Sequence, residues 1–150
     1  MSEVPSLLVY SYPTPGELEV VRAEFESISV GTILAARESI TDILSRSRVH
    51  RDRLQTVQPN ISLVLSLAAS AAQEATFGAF TRSLTTELTG LSYNSVKGHF
   101  GLMVERGLFG VDKTHTAAPK PRERGRDARR SELYQATELG QSILSMFLTP

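Results

Sequence analysis

Residues 80–110 read FTRSLTTELTGLSYNSVKGHFGLMVERGLFG, and residues 131–140 read SELYQATELG. The first stretch holds two apolar-periodic runs that meet at Thr89-Gly90-Leu91. The spacing predicts a short helix from Thr81 to Leu88 with Leu84 and Leu88 inward. Gly90 then supplies the left-handed backbone that a sharp helix-to-helix turn favours. Ser92 stands where an N-cap belongs, and the following helix runs to about Arg106, with Gly107 as the glycine just past its end. Leu108-Phe109-Gly110-Val111 reads as a strand and Glu132-Leu133-Tyr134-Gln135-Ala136 as its antiparallel partner. Thr137 caps a last helix containing Leu139, Ile143, Leu144, Met146 and Phe147.

On the helix of residues 92–106, the period places Val96, Phe100, Met103 and Val104 on a buried stripe. Tyr93, Asn94, Lys97 and Gly101 fall largely on the opposite side. That face holds an amide, a phenol, a cation and glycine, with no large aliphatic side chain to desolvate. Such chemistry suits a helix end that enters a major groove, where Asn bonds adenine bidentately and Lys reaches guanine acceptors or phosphate. The wet side of an ordinary amphipathic helix has the same composition, so the helix alone leaves both readings open.

The charge distribution favours the first reading. The chain has 16 Lys/Arg and 16 Asp/Glu, a net charge of zero. Residues 113–130 nevertheless hold seven cations (Lys113, Lys120, Arg122, Arg124, Arg126, Arg129 and Arg130) against Glu123 and Asp127. This block, near +5, falls between the two strands, at the tip of the hairpin. Guanidinium groups on a tip beside a groove-reading helix make a grip on phosphates, with minor-groove insertion within reach.

Upstream, Leu7-Leu8-Val9-Tyr10 reads as a short strand or arm. Thr14-Pro15-Gly16-Glu17 has a capping-box pattern with Pro at the first helical position, followed by Leu18, Val21, Phe25 and Ile28 at helical spacing. From Ser29 to about Arg53 the pattern stays helical, with Val30, Ile33, Leu34, Ile40, Ile43 and Leu44 on one side and Gly31 as the weak point. Its basic tail, Arg46 to Arg53, suits a solvated helix C-terminus. Gln58-Pro59-Asn60 is the clearest boundary, with Asn60 capping a helix that carries Ile61, Val64, Leu65, Leu67 and Ala68 and then the small residues Ala69–Ala72. Thr76 to Phe80 reads as a short extended segment. The expected division is therefore an N-terminal helical extension over 1–57, serving dimerisation, and a second unit over 58–150. The fold class is mainly α with a small β-hairpin, α+β.

The runs LTTELTGLSYNSVKGHFGLMVERGLFG and LYQATELG carry a resemblance to the winged helix-turn-helix regulators, especially the MarR-like and PadR-like families. Glu105-Arg106-Gly107-Leu108 resembles their helix exit, and Tyr134 with Thr137-Glu138-Leu139-Gly140 their strand-to-helix step. The resemblance covers roughly residues 60–148. It implies a homodimer that places two recognition helices in successive major grooves of double-stranded DNA, with the wings over flanking backbone. By position, Tyr93, Asn94, Ser95, Lys97 and Gly98 would face DNA. Lys120, Arg122, Arg124, Arg126, Arg129 and Arg130 would be contacts of a long basic wing, about residues 112–131. Arg124-Gly125-Arg126 is similar to a minor-groove hook of basic residues around glycine. The chain departs from the families at Gly98, where a polar reader is usual, in the length of the wing, and in residues 1–57, which match no particular subfamily.

Catalytic chemistry has no constellation here. His50, His99 and His115 are far apart in sequence, with no metal-binding spacing, and His99 falls toward the packed side of its helix. Cysteine is absent, which excludes disulfides and thiolate sites. No glycine-rich phosphate loop or nucleophile elbow is present. No apolar run approaches the roughly 18–20 residues that span a bilayer, and the first residues lack a basic leader. The expectation is a non-enzyme without cofactor, cytoplasmic and nucleoid-associated, regulating transcription. Two alternatives stay open: a plasmid or viral replication, partition or architectural DNA-binding protein, and a winged-helix module that docks a protein. No residue identifies a small-molecule effector.

Overall fold

The computed structural model describes residues 7–45, 61–119 and 130–148. Among them the order is α1 (Leu7–Tyr10), α2 (Pro15–Glu26), α3 (Val30–Ser45), α4 (Ile61–Phe77), α5 (Arg82–Thr89), α6 (Tyr93–Glu105), β1 (Phe109–Ala117), β2 (Ser131–Ala136) and α7 (Glu138–Leu148). The chain is thus mainly helical with one two-stranded antiparallel sheet. At the centre lies α4, whose Leu63, Val64, Leu67, Ala68, Ala69, Ala71 and Ala72 are all buried. Its small residues permit close approach of neighbours, and α2, α3, α5, α6 and α7 all pack on it.

The capping box is formed as the sequence predicts. Thr14 N–H donates to Glu17 Oε1 (2.8 Å), and Glu17 N–H donates to Thr14 Oγ1 (3.2 Å), with Pro15 at the first helical position. Elsewhere upstream the structure corrects the reading. Leu7–Tyr10 is a helical turn rather than a strand, closed by Ser11 N–H to the Leu7 carbonyl. The break between α2 and α3 falls at Ser27–Ser29, before Gly31, because Ser29 Oγ accepts from Thr32 N–H and caps α3. Consequently Ala36 and Ile40 form the buried side of α3, while Val30 and Leu34 are exposed. The predicted basic tail at 46–53, the boundary at 58–60 and the Asn60 cap lie outside the described residues.

The segment after α4 also differs. The helix runs on through Phe77 and stops at Gly78 (φ 81°), so of the expected segment Thr76–Phe80, Phe80 alone pairs as a strand residue. Phe80 makes an isolated antiparallel bridge to Tyr134, with Phe80 N–H donating to the Tyr134 carbonyl (3.0 Å) and the reverse bond at 2.9 Å. Gln73, fully buried on α4, joins that helix to α5. Its Nε2 donates to Thr85 Oγ1 (2.8 Å) and to the Ala69 carbonyl (3.2 Å), and its Oε1 accepts from Thr81 N–H (3.0 Å). Glu74 accepts from Ala136 N–H and Gln141 Nε2, fastening α4 to the junction of β2 and α7.

Candidate nucleic-acid interface

The helix pair forms from the local signals. Thr81 Oγ1 accepts from Leu84 N–H to cap α5, and Gly90 closes it in the left-handed region (φ 76°, ψ 5°). Ser92 Oγ accepts from Ser95 N–H to cap α6, and Gly107 (φ 77°) follows its C-cap Arg106. Val96, Phe100 and Met103 are buried, fixing the rotation of α6. Val104, expected on that stripe, is 38% exposed, since it falls at the stripe's edge near the helix end.

An aromatic cluster holds α6 to the hairpin. Phe100 meets Tyr134 edge-on at 4.8 Å between ring centroids, and Phe109 at 5.2 Å; Phe80 lies 4.7 Å from Phe109. These separations lie in the attractive range for edge-to-face pairs. Rings from α6, β1, β2 and the Phe80 bridge thus form one packed unit.

The opposite side of α6 is open. Tyr93, Asn94, Ser95, Lys97, Gly98 and Gly101 are all exposed, and beyond the chain neighbours and the helix's own backbone no atom lies within 4 Å of a Cβ position at Gly98 or Gly101. Half-buried His99 lies between the two sides, with its Nε2 shut off from solvent and without a partner. Burial lowers its pKa from the usual imidazole value.

Strand β1 is longer than the sequence suggests because it contains an irregularity. Asp112 pairs with Leu133 and Thr116 with Glu132, so Lys113, Thr114 and His115 bulge out between them. Asp112 shapes the bulge: its Oδ1 accepts from the N–H groups of Thr114 (2.8 Å) and His115 (2.9 Å), and its Oδ2 lies 3.2 Å from His115 Nδ1. Burial pushes the Asp112 carboxyl up, but these donors outweigh it and hold its pKa below the usual value. Exposed Lys113 projects from the bulge.

Of the expected wing contacts, Lys120, Arg122, Arg124, Arg126 and Arg129 lie outside the described residues. Arg130 is described, and two of its guanidinium nitrogens are engaged at the hairpin stem. Its Nε donates to Thr116 Oγ1 (2.7 Å) and its Nη2 to the carbonyls of Thr116 and Val9 (each 2.6 Å). Ala118 N–H donates to the Leu8 carbonyl (2.7 Å), so α1 is laced to the stem from both sides.

One charged group at this face escaped the sequence reading. Arg82, at the first position of α5, places Nη2 3.1 Å from Glu132 Oε1, and the Tyr134 hydroxyl donates to that same oxygen (2.9 Å). The Arg82 guanidinium carbon lies 5.6 Å from the Tyr93 ring centroid and 5.9 Å from that of Tyr134. Burial and the bond to Glu132 push the Tyr134 phenol up to about 12. No sequence spacing signals this group, because its members come from α5, α6 and β2.

Among the described residues, no three His, Asp or Glu side chains are grouped to hold a metal ion. No helix among them is long and apolar enough to cross a membrane. Comparison of the chain with family models, with curated proteins and with solved structures finds no match.

Proposed function

We propose that this chain is a winged helix-turn-helix protein that binds double-stranded DNA in sequence-specific fashion and regulates transcription as a homodimer. In this proposal α5 and α6 are the helix pair, α6 is the recognition helix, and the β1–β2 hairpin is the wing. The observation that carries the reading is the two-sidedness of α6. One side is locked by Val96, Phe100 and Met103, while Tyr93, Asn94, Ser95, Lys97 and Gly98 stand uncovered at its N-terminal half. A rigid helix whose open N-terminal half carries hydrogen-bonding side chains and no bulky aliphatic group, with Val104 exposed only at the far end, suits insertion of that half into a major groove. Between β1 and β2, residues 118–130 hold six Lys/Arg against Glu123 and Asp127 and supply the complementary charge for phosphates.

The test is competition between a duplex selected from a random pool and the unselected pool. Asn94→Ala with Lys97→Ala is expected to lower the preference by about tenfold or more, since a good bidentate base contact contributes about 1–3 kcal/mol of discrimination. An unchanged preference in a folded double variant would count against α6 as the reading helix. A second use of the same fold, architectural or replicative binding, is favoured by the lack of a side chain at Gly98. It predicts cooperative coverage with little preference among sequences.

A further inference from the structure

Arg82 is the meeting point of the three elements that the proposed interface needs in register. It belongs to α5, its guanidinium borders the ring of Tyr93 at the start of α6, and it pairs with Glu132 on β2. Resting on the DNA-binding reading above, we propose that Arg82 is a specificity-determining positioning residue: it orients Tyr93 on the reading face and fixes the wing relative to α6, without itself contacting phosphate.

Three observations separate this role from that of another phosphate contact. The Arg82 side chain is only 19% exposed, whereas the side chain of its partner Glu132 is 51% exposed. Its guanidinium is already engaged by a carboxylate and lies near two aromatic rings, within the roughly 6 Å over which such cation–ring attraction acts. Glu132 Oε1, in turn, accepts from both Arg82 and the Tyr134 hydroxyl. The carboxylate therefore closes a triangle whose third member, Tyr134, is packed edge-on against Phe100 of α6. A guanidinium suits this place because its planar fork can meet a carboxylate edge-on and present a face to a ring, which an ammonium cannot reproduce.

If Arg82 and Glu132 act through one contact, their removal must be coupled. The experiment measures affinity for a duplex selected by the wild type and for its scrambled version, across a salt series. The proteins are wild type, Arg82→Gln, Glu132→Gln, the double variant and Arg82→Lys. Tyr93 ring-proton shifts are recorded by NMR without DNA. Each single Gln variant is expected to lower the selected-to-scrambled ratio by about tenfold, the double variant no further than either, and the salt slope to stay that of the wild type. Arg82→Lys keeps the charge and is expected to restore the ratio incompletely. The Tyr93 ring shifts should move in both single variants.

A slope shallower by about 0.9 in Arg82→Gln, with Glu132→Gln harmless, would make Arg82 a phosphate contact and overturn the proposal. Tighter binding of both duplexes by Glu132→Gln at an unchanged ratio would likewise overturn it, by making Glu132 a repelling charge only. Unmoved Tyr93 shifts would remove the positioning role even if affinity changed. Failure of the wild type to bind any duplex at low salt would instead sink the DNA-binding reading, and with it the specificity role of Arg82.

Discussion

Gly140 and Gly98 show how differently two glycines act in one chain. Gly140 lies in the first turn of α7, where a Cβ would run into the Leu108 carbonyl oxygen and crowd Ala136 Cβ at 3.3 Å. That carbonyl also accepts from Thr137 N–H (2.9 Å), so it cannot retreat without loosening the helix start. Gly140→Ala is expected to cost about 1–3 kcal/mol or more, visible as a lower denaturation midpoint. Gly98, with nothing within 4 Å of its Cβ position, is an exposed helix interior position. Gly98→Ala should raise stability by up to about 1 kcal/mol, because Ala loses less backbone entropy in a helix. Equal effects of the two substitutions would contradict this packing. His99 adds a pH dependence. Its folded pKa is depressed by burial, so its contribution to stability is present above about pH 6.5 and is lost as pH falls through the folded value. The melting temperature should therefore fall from about pH 7 to about pH 5, and His99→Gln should make that fall smaller.

At the scale of elements, what was legible in the sequence was local. Thr14 with Glu17, Thr81, Gly90, Ser92, Gly107 and Thr137 signal helix ends through their own backbone neighbourhoods, and the structure uses each of them at such a place. What was not legible depended on distant partners. Leu7–Tyr10 is apolar enough for a strand, but it forms one helical turn packed on the end of β1, its carbonyls accepting from Ala118 N–H and Arg130 Nη2. The length of β1 depends on the Asp112 bulge, and the Arg82 group joins residues remote in sequence. Gln73 is similar: a polar residue in a run of small apolar ones, fully buried because three hydrogen bonds satisfy it. Gln73→Leu keeps the volume roughly but leaves Thr81 N–H and the Thr85 hydroxyl without that partner. It is expected to cost about 1–3 kcal/mol in chemical denaturation. A neutral result would mean that α4 and α5 are held by apolar contact alone.

Across the whole molecule, the N-terminal helices are part of the core that supports the proposed interface. Ala36 and Ile40 of α3 share a cluster with Phe80, Phe100 and Tyr134, and Leu8 and Val21 share one with Leu84 and Leu133. These same helices leave Val20 (59%), Val30 (72%) and Leu34 (50%) exposed, which motivates the proposed homodimer. Sedimentation at micromolar concentration is expected to give a dimer, and Val30→Glu with Leu34→Glu to give a folded monomer. A wild-type monomer would remove the paired-groove geometry while leaving single-site binding open. Duplex binding by α6 and a cationic hairpin is read out by anisotropy titrations against salt. Wild type is compared with a variant in which Arg122, Arg124, Arg126 and Arg129 are changed to Ala. Arg130 is kept, because its bonds to Val9 and Thr116 hold the hairpin stem. The expected log–log slope is about −0.9 per neutralised phosphate, visibly shallower in the variant. Identical slopes, or no binding by the wild type at low salt, would contradict it.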